Sequence, residues 1–170
     1  IYNAGAALAA LRHLDLPETR FEAAVTRAQW PARLQRLKTG PLKDMAPDAD
    51  LWLDGGHNAA AGQALASHLA QQSLRPTYLI CGMLNTKDVA GYLAPMAPYV
   101  AELFAVSIPG EANTLPAETT ATAAKSVGMA ATAADTVNAA VAKILKSDPA
   151  SRILICGSLY LAGQILRENA

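Results

Sequence analysis

Long apolar runs, a basic surplus and a cysteine framework are all missing from this chain, and each absence removes a class of function. No uninterrupted apolar stretch approaches the ~18 residues needed to cross a bilayer, so no membrane partner is expected. Lys plus Arg is 14 and Asp plus Glu is 14, for a formal net charge of zero. A neutral chain without a basic run is a poor partner for nucleic acid or an anionic membrane surface. The two cysteines, Cys81 and Cys156, lie in apolar strand-like runs, which reads as two small buried hydrophobes in a reducing compartment. Aromatic residues are scarce at 5%, while the hydrophobic fraction of 52% is largely alanine. That composition excludes disorder and favours helix-rich packing over an all-β sandwich.

Several chemical signatures are absent too. No segment reads GxxxxGK[ST], and "GGHNAAAG" fails the GxGxxG spacing, so neither a P-loop nor the dinucleotide fingerprint is present. There is no Cys/His metal spacing, no GxSxG elbow and no paired-carboxylate pattern. The opening "IYNAGAALAALRHLDL" lacks the charged region and cleavage pattern of a signal peptide and does not begin with Met. The expectation is a cytoplasmic, monomeric piece of a longer protein.

What the chain has is alternation. Ala4, Leu8 and Leu11 mark a helix that ends near Leu16-Pro17, read as the last piece of a preceding domain. Residues 21–29 read as extended, and "KTGPLKDMAPDAD" as a polar loop. From Leu51 the strands "LWLD", "TYLICGM", "ELFAVSI", a weak one at 129–133 and "RILICGS" each lead into a helical pattern. Such regular alternation predicts an α/β, Rossmann-like, three-layer domain with a mostly parallel sheet of about six strands, flanked by helices. The segment from Phe21 to Leu37 stands outside the alternation and is a candidate antiparallel edge.

Ligands of open parallel sheets bind beyond the carboxyl ends of the strands, which here carry "LDGGHN", "CGMLNTKD", "SIPGEAN" and "CGSLY". Asp54 is open to two roles, accepting from ribose hydroxyls or capping its own turn. His57 suits an anion or a ribose oxygen, and Asn58 suits a helix N-cap. His13 and His68 read as surface helix residues. Arg33, after Pro31, has no acid in its own segment, and its planar fork suits phosphate as well as a surface ion pair. Ser158 starts the last helix, where a hydroxyl and free amides can seat a carboxylate or phosphate or simply cap the helix. Lys87 and Asp88 open another helix as a solvated pair. Spacing alone does not name the ligand.

In register, "WPARLQ", "LWLDGGHNAAAGQAL", "CGMLNTKD" and "CGSLYLAG" resemble the C-terminal domain of bacterial folylpolyglutamate synthases and dihydrofolate synthases, of the Mur ligase superfamily. The usual "DGAHNP" carries Gly56 in place of alanine and Ala59 in place of proline. The resemblance implies an ATP-dependent amide ligase that activates a folate or dihydropteroate carboxylate as an acyl phosphate for attack by L-glutamate. It implies residues 1–17 as the terminal helix of a central ATPase domain and residues 18–170 as the glutamate-ligase domain. That central domain would supply the P-loop and the Mg²⁺ ligands, and the 170 residues alone would be inactive. By position, Arg33 matches an arginine at the ATP phosphates, Asp54 an acid near the ribose, and His57 the histidine of the same loop, near both ATP and glutamate. Ser158 matches a serine at the incoming glutamate; Lys87 and Asp88 match a motif without an assigned role. Two other readings stay open: a non-catalytic nucleotide-binding or interaction domain, and a Mur ligase of cell-wall precursor synthesis.

Overall fold

The computed structural model describes residues 2–15, 21–73 and 75–169. The chain divides into two compact units, Ile1–Pro31 and Ala32–Ala170. The domain boundary expected at residue 17, and the helix end at Leu16-Pro17, lie outside the described residues.

The first unit holds α1 (Tyr2–His13) and α2 (Phe21–Thr26). The second helix corrects the extended reading of residues 21–29. Ala23 and Ala24 have high helix propensity, which outweighs the β-branched Val25 and Thr26.

The second unit is a six-stranded sheet. Its elements are β1 (Gln35–Arg36), α3 (Pro41–Met45), β2 (Asp50–Leu53), α4 (Ala59–Leu69), β3 (Thr77–Cys81) and α5 (Val89–Leu93). They continue with a 3₁₀ turn (Ala94–Tyr99), β4 (Glu102–Ala105), α6 (Ala117–Ser126), β5 (Ala131–Ala133), α7 (Val137–Ser147), β6 (Arg152–Cys156) and α8 (Leu159–Glu168). The supposed polar loop therefore contains α3, which starts at a proline whose fixed φ suits the first helical turn. The helical pattern after "TYLICGM", which places Val89, Leu93 and Met96 together, is α-helical only to Leu93. Pro95 and Pro98 then enforce the tighter turn, although all three apolar residues are buried as expected.

The strand order is β1-β2-β6-β3-β4-β5, with β1 antiparallel to β2 and every other pair parallel. The α/β, mostly parallel expectation is met, and the antiparallel edge is only two residues long. Side chains alternate across the central strands. Ile80, Phe104, Ile153 and Ile155 pack on one face with Val141 and Ile144 of α7 and Leu161 and Ile165 of α8. Leu79, Cys81, Leu103, Leu154 and Cys156 pack on the other with Leu65 and Leu69 of α4 and Tyr92 and Leu93 of α5. Burial on both faces is why these strands read as continuous apolar runs.

Two features of this packing position the candidate site. The last strand enters between the first two parallel ones, so the carboxyl ends of β2, β6 and β3 lie side by side. The ladder continues past the strands, with Asp54 N–H donating to the Ile155 carbonyl at 3.0 Å and Gly82 N–H to the Cys156 carbonyl at 3.2 Å. Helices α4 and α5 also approach so closely that a Cβ on Gly62 would stand 2.1 Å from the Tyr92 carbonyl oxygen. Only glycine fits there.

Candidate functional site

Three loops converge at the joined ends of β2 and β6. In the first, Ala32 and Leu34 have φ of 57° and 42°, the left-handed region that non-glycine residues seldom occupy. Such backbone persists only where its surroundings hold it. Here Ala32 N–H donates to Gln35 Oε1 at 2.9 Å, the Ala32 carbonyl accepts from Gly55 N–H at 2.8 Å, and Leu34 N–H donates to Asp54 Oδ2 at 2.8 Å. Between the two strained residues stands Arg33, exposed and without a hydrogen bond or ion pair among the described residues. Nothing in the sequence signals this strain, because neither residue is glycine.

Asp54 is only 6% exposed. Its second oxygen, Oδ1, accepts from Gly56 N–H at 2.7 Å, so the turn-capping role is real and one carboxylate ties two loops together. Each oxygen serves one backbone donor and keeps a lone pair for another, so the carboxylate holds Arg33's loop without being saturated. Holding Arg33's loop is a role for Asp54 that the sequence did not reveal, beside the ribose contact expected of it.

His57 is half-buried, with Nδ1 3.0 Å from the Gly55 carbonyl. A carbonyl only accepts, so Nδ1 carries the proton and Nε2 is left for another partner. Asn58 caps α4 as expected, accepting from Ala61 N–H at 2.9 Å. Ser158 caps α8, its Oγ accepting from Tyr160 N–H at 3.0 Å, and is 3% exposed. It is joined to the first loops through Leu159, whose side chain occupies the space a Cβ on Gly55 would need. Beside Ser158, a cleft of about 430 Å³ is lined by Leu159, Tyr160, Gln164 and Arg167 of α8 and by Ile108–Glu111 after β4. Leu159 and Tyr160 are 49% and 59% exposed.

Lys87 and Asp88 lie on the loop after β3. Asp88 caps α5, accepting from Gly91 N–H at 2.9 Å, and Lys87 is half-buried. His68, expected at the surface, is half-buried with its ring edge-on to Trp52 at 5.8 Å; His13 is exposed.

Beneath the loops lies a group the sequence did not single out. Tyr92 is fully buried and its hydroxyl has no hydrogen-bond partner. Burial first, then the Cys156 and Cys81 thiols and the Asp54 carboxylate, push its phenol well above the ordinary range. Cys81 and Cys156 are register partners, free and buried as expected. The Cys81 thiol is pushed up by its hydrogen bond with Cys156 and then by burial, so it stays protonated and unreactive. An unpartnered buried hydroxyl is a cost. Tyr92→Phe is therefore expected to leave stability unchanged or raise it by about 1 kcal/mol, measured by urea unfolding. A loss of that size would reveal a hydrogen bond to the hydroxyl.

Among the described residues, no group of three or more His, Cys, Asp or Glu converges to hold a metal ion. Residues 36–168 match the family model described as the C-terminal domain of dihydrofolate synthetase. The chain belongs to this family. It is 29% identical over 138 residues to folylpolyglutamate synthase of Lacticaseibacillus casei, covering 81% of this chain and 29% of that protein. It superimposes on E. coli FolC in complex with DHPP and ADP with a TM-score of 0.78 at 25% identity, covering 97% of this chain and 38% of the other. Against a bifunctional folylpolyglutamate synthase/dihydrofolate synthase with Mn, AMPPNP and L-glutamate bound, the TM-score is 0.75 at 25% identity, over 95% and 37% of the two chains. The chain thus spans well under half the length of these relatives.

Proposed function

We propose that this domain supplies the nucleotide-phosphate and amino-acid contacts of an ATP-dependent ligase that joins L-glutamate to a folate or dihydropteroate carboxylate. The observation that carries the reading is Arg33: an exposed, unpaired guanidinium held between two strained residues by three hydrogen bonds, at the carboxyl edge of the sheet. A cation whose backbone is fixed while its guanidinium has no protein partner suits an anionic ligand, and the guanidinium fork suits phosphate oxygens.

In this reading an acyl phosphate forms on the folate carboxylate and the glutamate amine displaces the phosphate. Arg33 neutralises charge on the transferred phosphoryl group, and Asp54 fixes Arg33's loop from below. His57 offers Nε2 toward the nucleotide or the glutamate. Ser158, at the start of α8, and the cleft beside it receive the glutamate. In this reading the P-loop and the metal donors come from an ATPase domain of the same protein. The exposed Leu159 and Tyr160 suit covering by that domain, and a shared cleft would exclude water from a hydrolysable intermediate.

In the intact ligase, Arg33→Ala is expected to lower kcat/KM for ATP about 10- to 100-fold, the equivalent of one charged hydrogen bond. Stability should be unchanged, since the side chain is exposed and makes no hydrogen bond or ion pair among the described residues. Full kcat/KM in the variant would sink the proposal.

A further inference from the structure

At the opposite pole of the sheet, the amino ends of the two central strands hold a charge without a counter-ion. Arg152 opens β6 and is 5% exposed. Its Nη1 donates to Thr77 Oγ1 at 3.1 Å and its Nη2 to Ser73 Oγ at 3.4 Å, while its Nε is buried with no partner. Asp50, its register partner on β2, is instead engaged by Arg36 at 2.6 Å. Among the described residues no carboxylate forms an ion pair with Arg152. A second guanidinium, Arg75, shares the same cleft of about 570 Å³, whose polar lining includes Gln72, Ser73, Thr77 and Tyr99. Burial first, and then Arg75, pull the Arg152 pKa down, against the pull of Asp50 in the other direction.

A buried cation is costly unless it is paired, and a like charge beside it adds to that cost. Here the protein supplies two guanidiniums and three hydroxyls around an open cleft, and the one acid that acts on Arg152, Asp50, is itself paired with Arg36. A dianion answers this arrangement better than a monoanion, because it neutralises both cations and accepts from several donors at once. We propose that this cleft binds a phosphate dianion, free or carried as the monoester of a small metabolite, between Arg152 and Arg75. The site is separate from the carboxyl edge: β3 and β6 are each five residues long, so the two ends stand roughly 17 Å apart. One phosphate does not reach both.

Isothermal titration of the 170-residue chain with inorganic phosphate, and separately with a sugar phosphate, tests this against sodium chloride at matched ionic strength. Saturable binding of one phosphate per chain is expected. Arg75→Gln, an exposed position that should fold normally, should weaken it about tenfold or more. Arg152→Lys, which keeps the charge but loses the fork, should weaken it similarly. Arg33→Ala should leave it unchanged. Tighter binding of the sugar phosphate identifies a monoester as the occupant, and tighter inorganic phosphate the free ion. The proposal is overturned if phosphate acts no differently from chloride. It is equally overturned if binding survives in Arg75→Gln and Arg152→Lys but is lost in Arg33→Ala. That last outcome would place the phosphate at the carboxyl edge and leave the ligase reading standing.

Discussion

Asp54→Ala is expected to destabilise the chain by about 3–5 kcal/mol and to abolish any activity that needs Arg33 in place. The substitution removes both acceptors at once, leaving Leu34 N–H and Gly56 N–H without partners beneath the packed loops. The strained backbone at Ala32 and Leu34 then keeps only its bonds to Gln35 and Gly55. Asp54→Asn separates positioning from ligand contact. Its amide oxygen can accept one N–H, but its NH₂ would face the other donor, so a loss of roughly 1–3 kcal/mol is expected before any nucleotide is present. Urea unfolding of wild type and both variants measures this directly. If both variants match wild type in stability, the carboxylate is not holding the loops, and only a direct role at the ligand is left for it.

Gly157→Ala should be comparably severe, at about 4 kcal/mol, for two independent reasons. Gly157 has φ of +103°, which L side chains rarely adopt. A Cβ there would also stand 2.7 Å from the Gly82 carbonyl oxygen, 2.8 Å from Cys81 Sγ and 2.9 Å from Met83 Sδ. The carbonyl belongs to the turn leaving the neighbouring strand and cannot swing aside as a side chain tip would. Relief would have to come from the junction of β6 with α8, displacing Ser158. A Tm and urea midpoint close to wild type would show that the junction yields easily, contrary to this account.

Much of the architecture was legible because burial on both faces writes itself into composition. Runs such as "LFAV" and "ILIC" reveal central strands, and Asn58 marks the start of α4 through local chemistry that needs no tertiary help. Residues 21–29 are not legible in this way, because a helix of six residues and an extended segment differ little in pattern. The site was legible in its members and not in its wiring. Arg33, Asp54, His57 and Ser158 could be picked out as polar residues at strand ends. That Asp54 reaches 20 residues back to Leu34 depends on β1 folding antiparallel onto β2, which no local signal encodes. The strain at Ala32 and Leu34, and the unpaired Arg152, likewise exist only once distant strands are neighbours.

The close seating of Gly62 on the Tyr92 carbonyl has a consequence for binding thermodynamics. Helix α4 begins at the His57-Asn58 loop and α5 at Lys87-Asp88, and with no side chain between them to act as a bearing, neither can slide alone. The edge is therefore shaped before a ligand arrives. Ordering a side chain or loop on binding costs roughly 0.5–1.5 kcal/mol for each rotamer-rich group immobilised, and here little of that entropy remains to be lost. Affinity at this edge depends on the few groups still free to move, Arg33 first among them.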